Sequence, residues 1–492
     1  MRTRLRHAGL VTLCILISAC AHYPVNTHND HFNKDTGYRF DALEKGPLNT
    51  DTLFVCLMFS GGGTRAAALS YGIMQALRDT RIQVDGEEKS LLDEVDCISS
   101  VSGGSFTSAY YGLFRERMFS DFRSRFLERN IQGDLAARLF NPINWVRLAS
   151  PYFGRTDMAA EFYDAEIFDA ATFAGLEQNG RPLVILNATN LGSERRFDFS
   201  QEHFDAIGSR LDQYNVSRAV AASSAFPFLL SAISLKNYPT AEGYELPWAY
   251  KKVLDGKDQT SRSYDAARNL SFYLNKQNAY VHLMDGGLSD NIGARAILDA
   301  YDHGFIRTRI NDGAIEKLVF IVVNARTESA DRLSQKESPP GIITVASKTG
   351  TVAMDNYSYE SVARLREILY GRVQVQKDSD ACDRLLKEHC PNPPGQFPLA
   401  GNIDPYVIEI NFRAVEHIPD ENPQYYLNLP TSFKLSSEQV AKLIAIGPKL
   451  LHTSPMYQCL LEVLRAEAND TPRPAQCPVG AGIIGSTGSD GP

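Results

Sequence analysis

The chain has 492 residues, 43% of them apolar and 22% charged, with a formal net charge of −8. That length and apolar content suffice for one large domain or two ordinary ones. The acidic balance excludes an electrostatic attraction to nucleic acid or to anionic lipid.

In chain order, Arg2, Arg4 and Arg6 form a positive leader ahead of the apolar run Leu10 to Ile17. The run is too short to span a bilayer and suits a cleaved signal peptide over residues 1–19. It ends in Ile17-Ser18-Ala19-Cys20, which resembles a bacterial lipobox. This implies cleavage before Cys20 and a lipid on its thiol. Losing the three arginines takes the charge from −8 to −11, so membrane contact must come from acyl chains, about 0.8 kcal/mol per buried methylene. The expected location is the bacterial envelope, anchored to a membrane. Ala21 is not the aspartate that retains some lipoproteins at the inner membrane, which favours the outer membrane and the periplasm. Residues 20–45, with His22, His28 and His31, read as a polar tether.

Leu53–Phe59 is strand-like and runs into a glycine cluster; Ala66–Arg78 then has helical spacing. Val95–Val101 is a second strand, followed by a helical stretch over Phe106–Arg129. The apolar, aromatic segment Phe140–Leu148 is expected as a buried helix, with a lid or bilayer-dipping element as the alternative. Leu183–Asn187, Val281–Met284 and Leu318–Asn324 are further strands, and Asn237–Gln277 reads as a polar insertion near the site. Strands alternating with helices predict an α/β fold with a mostly parallel central sheet covered on both faces. The catalytic domain is placed at 46–330 and a C-terminal extension packed on it at 331–470. Within the extension, 326–405 reads as loop-rich with one helix near Ser358–Leu369, and Tyr406–Phe412 as a strand. Ser436 and Gln439 form a capping box for the helix Val440–Leu451. The Pro/Gly/Ser-rich tail 471–492 is expected to be disordered.

Cys56 and Cys97, inside apolar runs, read as buried free thiols; Cys382/Cys390 and Cys459/Cys477 read as disulfides of an oxidising compartment. No CxxC or HExxH occurs, so neither metal nor cofactor is expected.

Three glycine-centred segments follow predicted strands, where open α/β sheets collect ligands. Gly61-Gly62-Gly63-Thr64-Arg65 can converge backbone N–H groups on an anion before a helix N-terminus. Ser100-Val101-Ser102-Gly103-Gly104 has the shape of a nucleophile elbow, with Ser100 in place of the usual first glycine. Asp285-Gly286-Gly287 is either an Asx turn or a carboxylate placed for close approach, with Asp290 as a nearby competitor.

Together these segments resemble the patatin-like phospholipases, whose glycine-rich oxyanion loop, G-x-S-x-G elbow and distant D-G-G/A occur in this order. Ala222-Ser223-Ser224-Ala225-Phe226-Pro227 and Asn187-Ala188-Thr189-Asn190-Leu191 are similar to two further family segments. The resemblance covers about residues 50–330. It implies a three-layer α/β/α fold and a phospholipase A or lysophospholipase activity on lipid acyl esters. Ser102 would be the nucleophile, Asp285 the base, and Gly61, Gly62 and Gly63 the oxyanion hole. Arg65, Gly104 and Gly286 would support them, Arg65 by fixing the loop rather than touching substrate. The rivals are a Ser-His-Asp esterase using His303, His389, His417 or His452, and a non-catalytic lipid- or partner-binding envelope lipoprotein. Lys348-Thr349-Gly350 hints at a penicillin-interacting enzyme, but no S-x-x-K accompanies it.

Overall fold

A computed structural model describes residues 21–227, 229–256, 258–328, 337–390, 403–474 and 477. Cys20, its leader and most of the tail from 471 lie outside the described residues.

The centre is an eight-stranded sheet of order β10-β9-β1-β4-β5-β8-β7, with β6 paired to β5. Its core strands are β1 (Leu53–Phe59), β4 (Val95–Val101), β5 (Leu183–Asn190) and β9 (Lys317–Asn324), and every residue of all four is buried. β1 is apolar throughout, as a parallel strand covered on both faces favours, while β4 and β5 also bury Asp96, Ser99, Ser100, Asn187, Thr189 and Asn190. β10 (Asp404–Asn411), β9, β1, β4 and β5 run parallel; β8 (Tyr280–Asp285) turns antiparallel on β5, and β7 (Ile233–Lys236) on β8. β6 (Arg195–Asp198) completes the sheet, while β2 (Arg81–Val84) and β3 (Glu87–Ser90) form a separate hairpin.

Helix α1 (Thr64–Asp79) follows β1, and α2 (Gly103–Phe114) follows β4. The helix expected to run on to Arg129 stops at Phe114: Arg115 takes φ 48°, and short 3₁₀, α and π turns continue from there. A positive φ on a non-glycine residue ends a helix. The extension supplies strand β10 to the main sheet. Instead of loops around one short helix, it carries a helix of 48 residues, Ile342–His389. Its Thr, Ser, Gly and β-branched start hid it from a search for an apolar stripe. The capped helix near the end runs Ser437–Thr453, with the Ser436/Gln439 box in place.

Four further expectations are corrected. Cys56 and Cys97 are joined as a disulfide because they face one another on β1 and β4, with Cα atoms 4.6 Å apart. Cys382 and Cys390 are free; eight residues along one helix separate them by about 12 Å, beyond the reach of a bridge. Cys459–Cys477 is bonded as expected. Residues 21–45 are no loose tether, since Tyr38, Phe40 and Leu43 are buried and Asn26 bonds Ser209 and Lys236. The Phe140–Leu148 segment forms a surface corner rather than a buried helix: α3 (Ile131–Leu139), then α4 (Pro142–Leu148), with Phe140 and Trp145 exposed.

Candidate active site

The site is assembled where β1, β4 and β8 end. β4 delivers Ser102 into a turn with φ 50° and ψ −117°, directly before α2. This strained backbone survives because its surroundings hold it. The Ser102 N–H donates to Ser223 Oγ at 2.9 Å, and Ser223 Oγ in turn donates to the Asn187 carbonyl at 2.6 Å. Ser223 lies at the end of a helix over Val216–Ser223. The two segments adjoining the elbow thus fix its backbone.

Ser100 is accommodated by hydrogen bonding. Its buried hydroxyl pairs with Ser108 Oγ at 2.6 Å and accepts from Ser105 Oγ at 3.3 Å. The hydroxyl crosses from strand to helix where glycine would have allowed bare contact.

The glycine loop after β1 lies on this elbow. A Cβ on Gly103 would come within 2.1 Å of the Gly63 carbonyl, so only glycine permits the approach. Gly104 and Gly286 lie similarly against backbone, of Phe59 and Ser60 and of Asn187 respectively. Gly63 itself has φ 61°. Of the three loop glycines, Gly61 has its N–H engaged by the Asn291 carbonyl at 2.9 Å. The N–H groups of Gly62, Gly63 and Gly103 have no hydrogen-bond partner among the described residues. The unengaged donors are therefore two glycines of the loop and the first residue of α2, which sequence reasoning did not single out. Asn291 was likewise missed: its carbonyl holds Gly61, and its side chain sits between Gly61 and Gly287.

Arg65 is buried and donates to the carbonyls of Ala325 and Leu429, each at 2.9 Å. It ties the loop to the end of β9 and to the extension.

Asp285 ends β8 and is buried. Burial pushes its carboxyl up to about 7, while the Gly287 N–H at 2.8 Å and the neighbouring Ser102 side chain pull it down. Its own N–H donates to the Ala225 carbonyl, and Thr189 Oγ1 donates to its carbonyl at 2.9 Å. Asp290 is turned to a different task, accepting the Arg295 N–H at 2.7 Å at the start of the helix Ala294–Asp302.

The candidate histidines are engaged elsewhere. His303 faces Tyr250, His389 meets the Leu385 carbonyl, His417 pairs with Glu416, and His452 packs on Tyr457. No hydrogen bond joins a histidine to Ser102 or Asp285 among the described residues. In the polar insertion 237–277, Arg262, Asp265 and Asn269 line a cavity shared with Leu288 and Ser289, which follow the Asp285 turn. The insertion's helices Trp248–Leu254 and Arg262–Ser271 border a second cavity of about 340 Å³ lined by Arg196, Asp299 and His303.

A serine at a strand–helix turn, a buried aspartate and unengaged backbone N–H groups at the ends of an α/β sheet have the layout that a serine hydrolase requires. Residues 57–298 match the family model described as patatin-like phospholipase, and this part of the chain is a patatin-like phospholipase domain. Human GIVD cytosolic phospholipase A2 is similar in structure at 15% identity and a TM-score of 0.30, over 55% of this chain and 45% of that one. Its complex with methyl gamma-linolenyl fluorophosphonate is similar at 13% identity and a TM-score of 0.40, over 85% and 60%. The chain thus spans less than two thirds of either structure's length. No curated protein sequence matches it.

Proposed function

We propose that the protein hydrolyses acyl esters of lipids through a Ser102–Asp285 dyad. The observation that carries this reading is the buried Asp285 carboxyl near Ser102, which burial pushes up to about 7. A carboxylate is a weak base toward a serine hydroxyl. Desolvation raises its proton affinity to where it both ionises and accepts a proton near neutrality.

In the proposed reaction Ser102 Oγ attacks the ester carbonyl carbon and its proton passes to Asp285. The negative oxygen is held by the N–H groups of Gly62, Gly63 and Gly103, a single such donor being worth about 2.7–4 kcal/mol in the transition state. Collapse expels the alcohol, which takes the proton from Asp285. Asp285 then deprotonates a water that cleaves the acyl-serine ester, and the proton returns to Ser102. Gly61 shapes the loop rather than donating, and Arg65 braces it.

The test is release of p-nitrophenol from medium- and long-chain esters by the wild type, Ser102→Ala and Asp285→Asn. Both substitutions are expected to abolish turnover in folded protein, by about 10⁴-fold or more. An active Asp285→Asn enzyme that loses turnover on a histidine replacement would sink the dyad.

We further propose that Cys20 carries the lipid anchor in the envelope. Incorporation of labelled palmitate that disappears in Cys20→Ser is the expected result; equal labelling of both would exclude it.

A further inference from the structure

The corner between α3 and α4 turns apolar side chains outward. Phe140 is 78% exposed, Ile143 69%, Trp145 59% and Tyr152 54%. A cluster of large apolar side chains at one surface corner calls for a partner.

Its polar groups are already satisfied from within. Trp145 Nε1 donates to the Leu139 carbonyl, Asn144 Nδ2 to that of Arg138 at 2.8 Å, and the Ile143 N–H to Asn141 Oδ1 at 3.0 Å. Arg147 is folded back onto Glu161 and stacks over Phe153 at 4.0 Å, while Arg138 stacks over Phe162 at 4.9 Å. An indole needs a partner for its N–H before its ring can leave water, and here the partner is built in. The Trp145 ring can therefore enter an apolar medium without leaving its N–H unpaired.

A second, independent observation lies at the same corner. The described chain begins at Ala21, whose carbonyl accepts the Ser150 hydroxyl at 2.5 Å. The Tyr23 N–H donates to the Tyr152 carbonyl at 2.8 Å, and His22 stacks on Tyr152. The leader and Cys20 thus join the protein beside the exposed apolar residues. A third observation relates the corner to the chemistry. Just beyond Tyr152, Gly154 and Thr156 lie against Ser231, and the segment back from Ser231 reaches Ala225, whose carbonyl holds the Asp285 N–H. Six residue steps span at most about 22 Å, and exposed Leu229 lies on that segment.

We infer that this corner is a membrane-docking face: Phe140, Ile143, Trp145 and Tyr152 seat in the outer part of a phospholipid bilayer, on the side where the chain leaves toward Cys20. The occupant is lipid hydrocarbon rather than an anionic headgroup, because the arginines of the corner are turned inward onto aromatic rings and Glu161. The docking is separate from the ester chemistry and stands or falls without it.

The sequence provides its own reporter, since its two tryptophans are Trp145 and Trp248. In the full chain carrying Trp248→Phe and Ser102→Ala, Trp145 emission is read with phosphatidylcholine vesicles bearing plain or dibrominated acyl chains. The expected result is a blue shift on adding vesicles, quenching of about twofold or more by the brominated chains, and reduced access for acrylamide. The effect should persist at high salt, as non-electrostatic insertion requires. Adding Phe140→Ser and Ile143→Ser should remove most of the quenching. Undiminished acrylamide access with vesicles present would overturn the proposal. So would protection of Trp145 before any vesicle is added, which would assign the face to the chain's own leader or, if concentration-dependent, to a second copy. Normal quenching in a protein whose wild type cleaves no ester would retain the docking face and defeat only the hydrolase reading.

Discussion

The two ends of strands β1 and β4 differ sharply in how their polar groups are used. At the amino ends nearly everything is paired. Asp96 accepts from the Val55 N–H at 2.9 Å and from Asn49, and meets Arg181, which also reaches Asp51. Fully buried Lys89 and Glu94 lie 3.0 Å apart, and Glu94 also accepts the Thr50 N–H. At the carboxyl ends of the same strands, three glycine N–H groups are unengaged, Ser102 is held at positive φ, and a desolvated aspartate waits beside it. One end pairs its polar groups with one another, although burial still pushes the Asp96 carboxyl up to about 8. The other holds them ready for a partner that arrives only during reaction, and that readiness lowers stability.

The comparison can be broken first at the crowded end. Gly103→Ala puts a methyl into the Gly63 carbonyl, so turnover should fall by about 10³-fold as the donors move apart. A variant that keeps more than a tenth of wild-type activity would mean that the loop is not set by this contact. At the opposite end, Lys89→Met leaves Glu94 buried without its cation. The expected cost is about 3–5 kcal/mol of stability in denaturant titration, with turnover per folded molecule unchanged. A fall in that turnover would show the two ends to be coupled.

Asp285 sharpens the contrast, because its raised carboxyl sets both rate and stability. Activity needs the ionised form, so kcat/KM should fall about tenfold per pH unit below about 7 and level off above it. For stability the sign is the reverse. The folded carboxyl titrates above its unfolded value, so its contribution declines as pH rises from about 4 to about 7. Asp285→Asn should therefore be more stable than wild type at pH 8, by on the order of 2–4 kcal/mol, with the gap closing toward pH 4. Equal stability at both pH values would mean that burial does not strain this group. The smallest effect belongs to Ser100→Gly, which removes the hydroxyl bridge to Ser108 but leaves the turn. A stability change of about 1 kcal/mol, with activity within a few-fold, is expected.

Much of this was legible before the structure. Strand β1 stood out because a strand buried on both faces is mostly apolar, β4 by its Val, Cys and Ile, and the turns after them because close backbone approach demands glycine. What escaped depended on which elements become neighbours. Cys56 and Cys97 looked inert singly, and only the pairing of β1 with β4 turns them toward each other. Gly61 read as a donor until Asn291, 230 positions later, supplied a carbonyl for its N–H. Ser223 lay within a recognised segment, yet nothing local says that its hydroxyl supports the Ser102 backbone. The start of the 48-residue helix was missed because local propensity there is poor.

The crossing of the first helix with the capped helix near the end has a consequence for ancestry. A Cβ on Gly72 would come within 2.3 Å of the Ile444 carbonyl, and one on Gly447 within 3.1 Å of the Gly72 backbone. Close by, the Thr64 N–H reaches Ser432 and Arg65 reaches Leu429. The stretch that carries the family's signature stops at residue 298, but the oxyanion loop is braced from beyond residue 428. A gene fragment cut at the signature's edge would inherit the reactive residues without the frame that aligns them. Recombination that exchanged the tail would have to bring a replacement brace, so head and tail are bound to change together over descent.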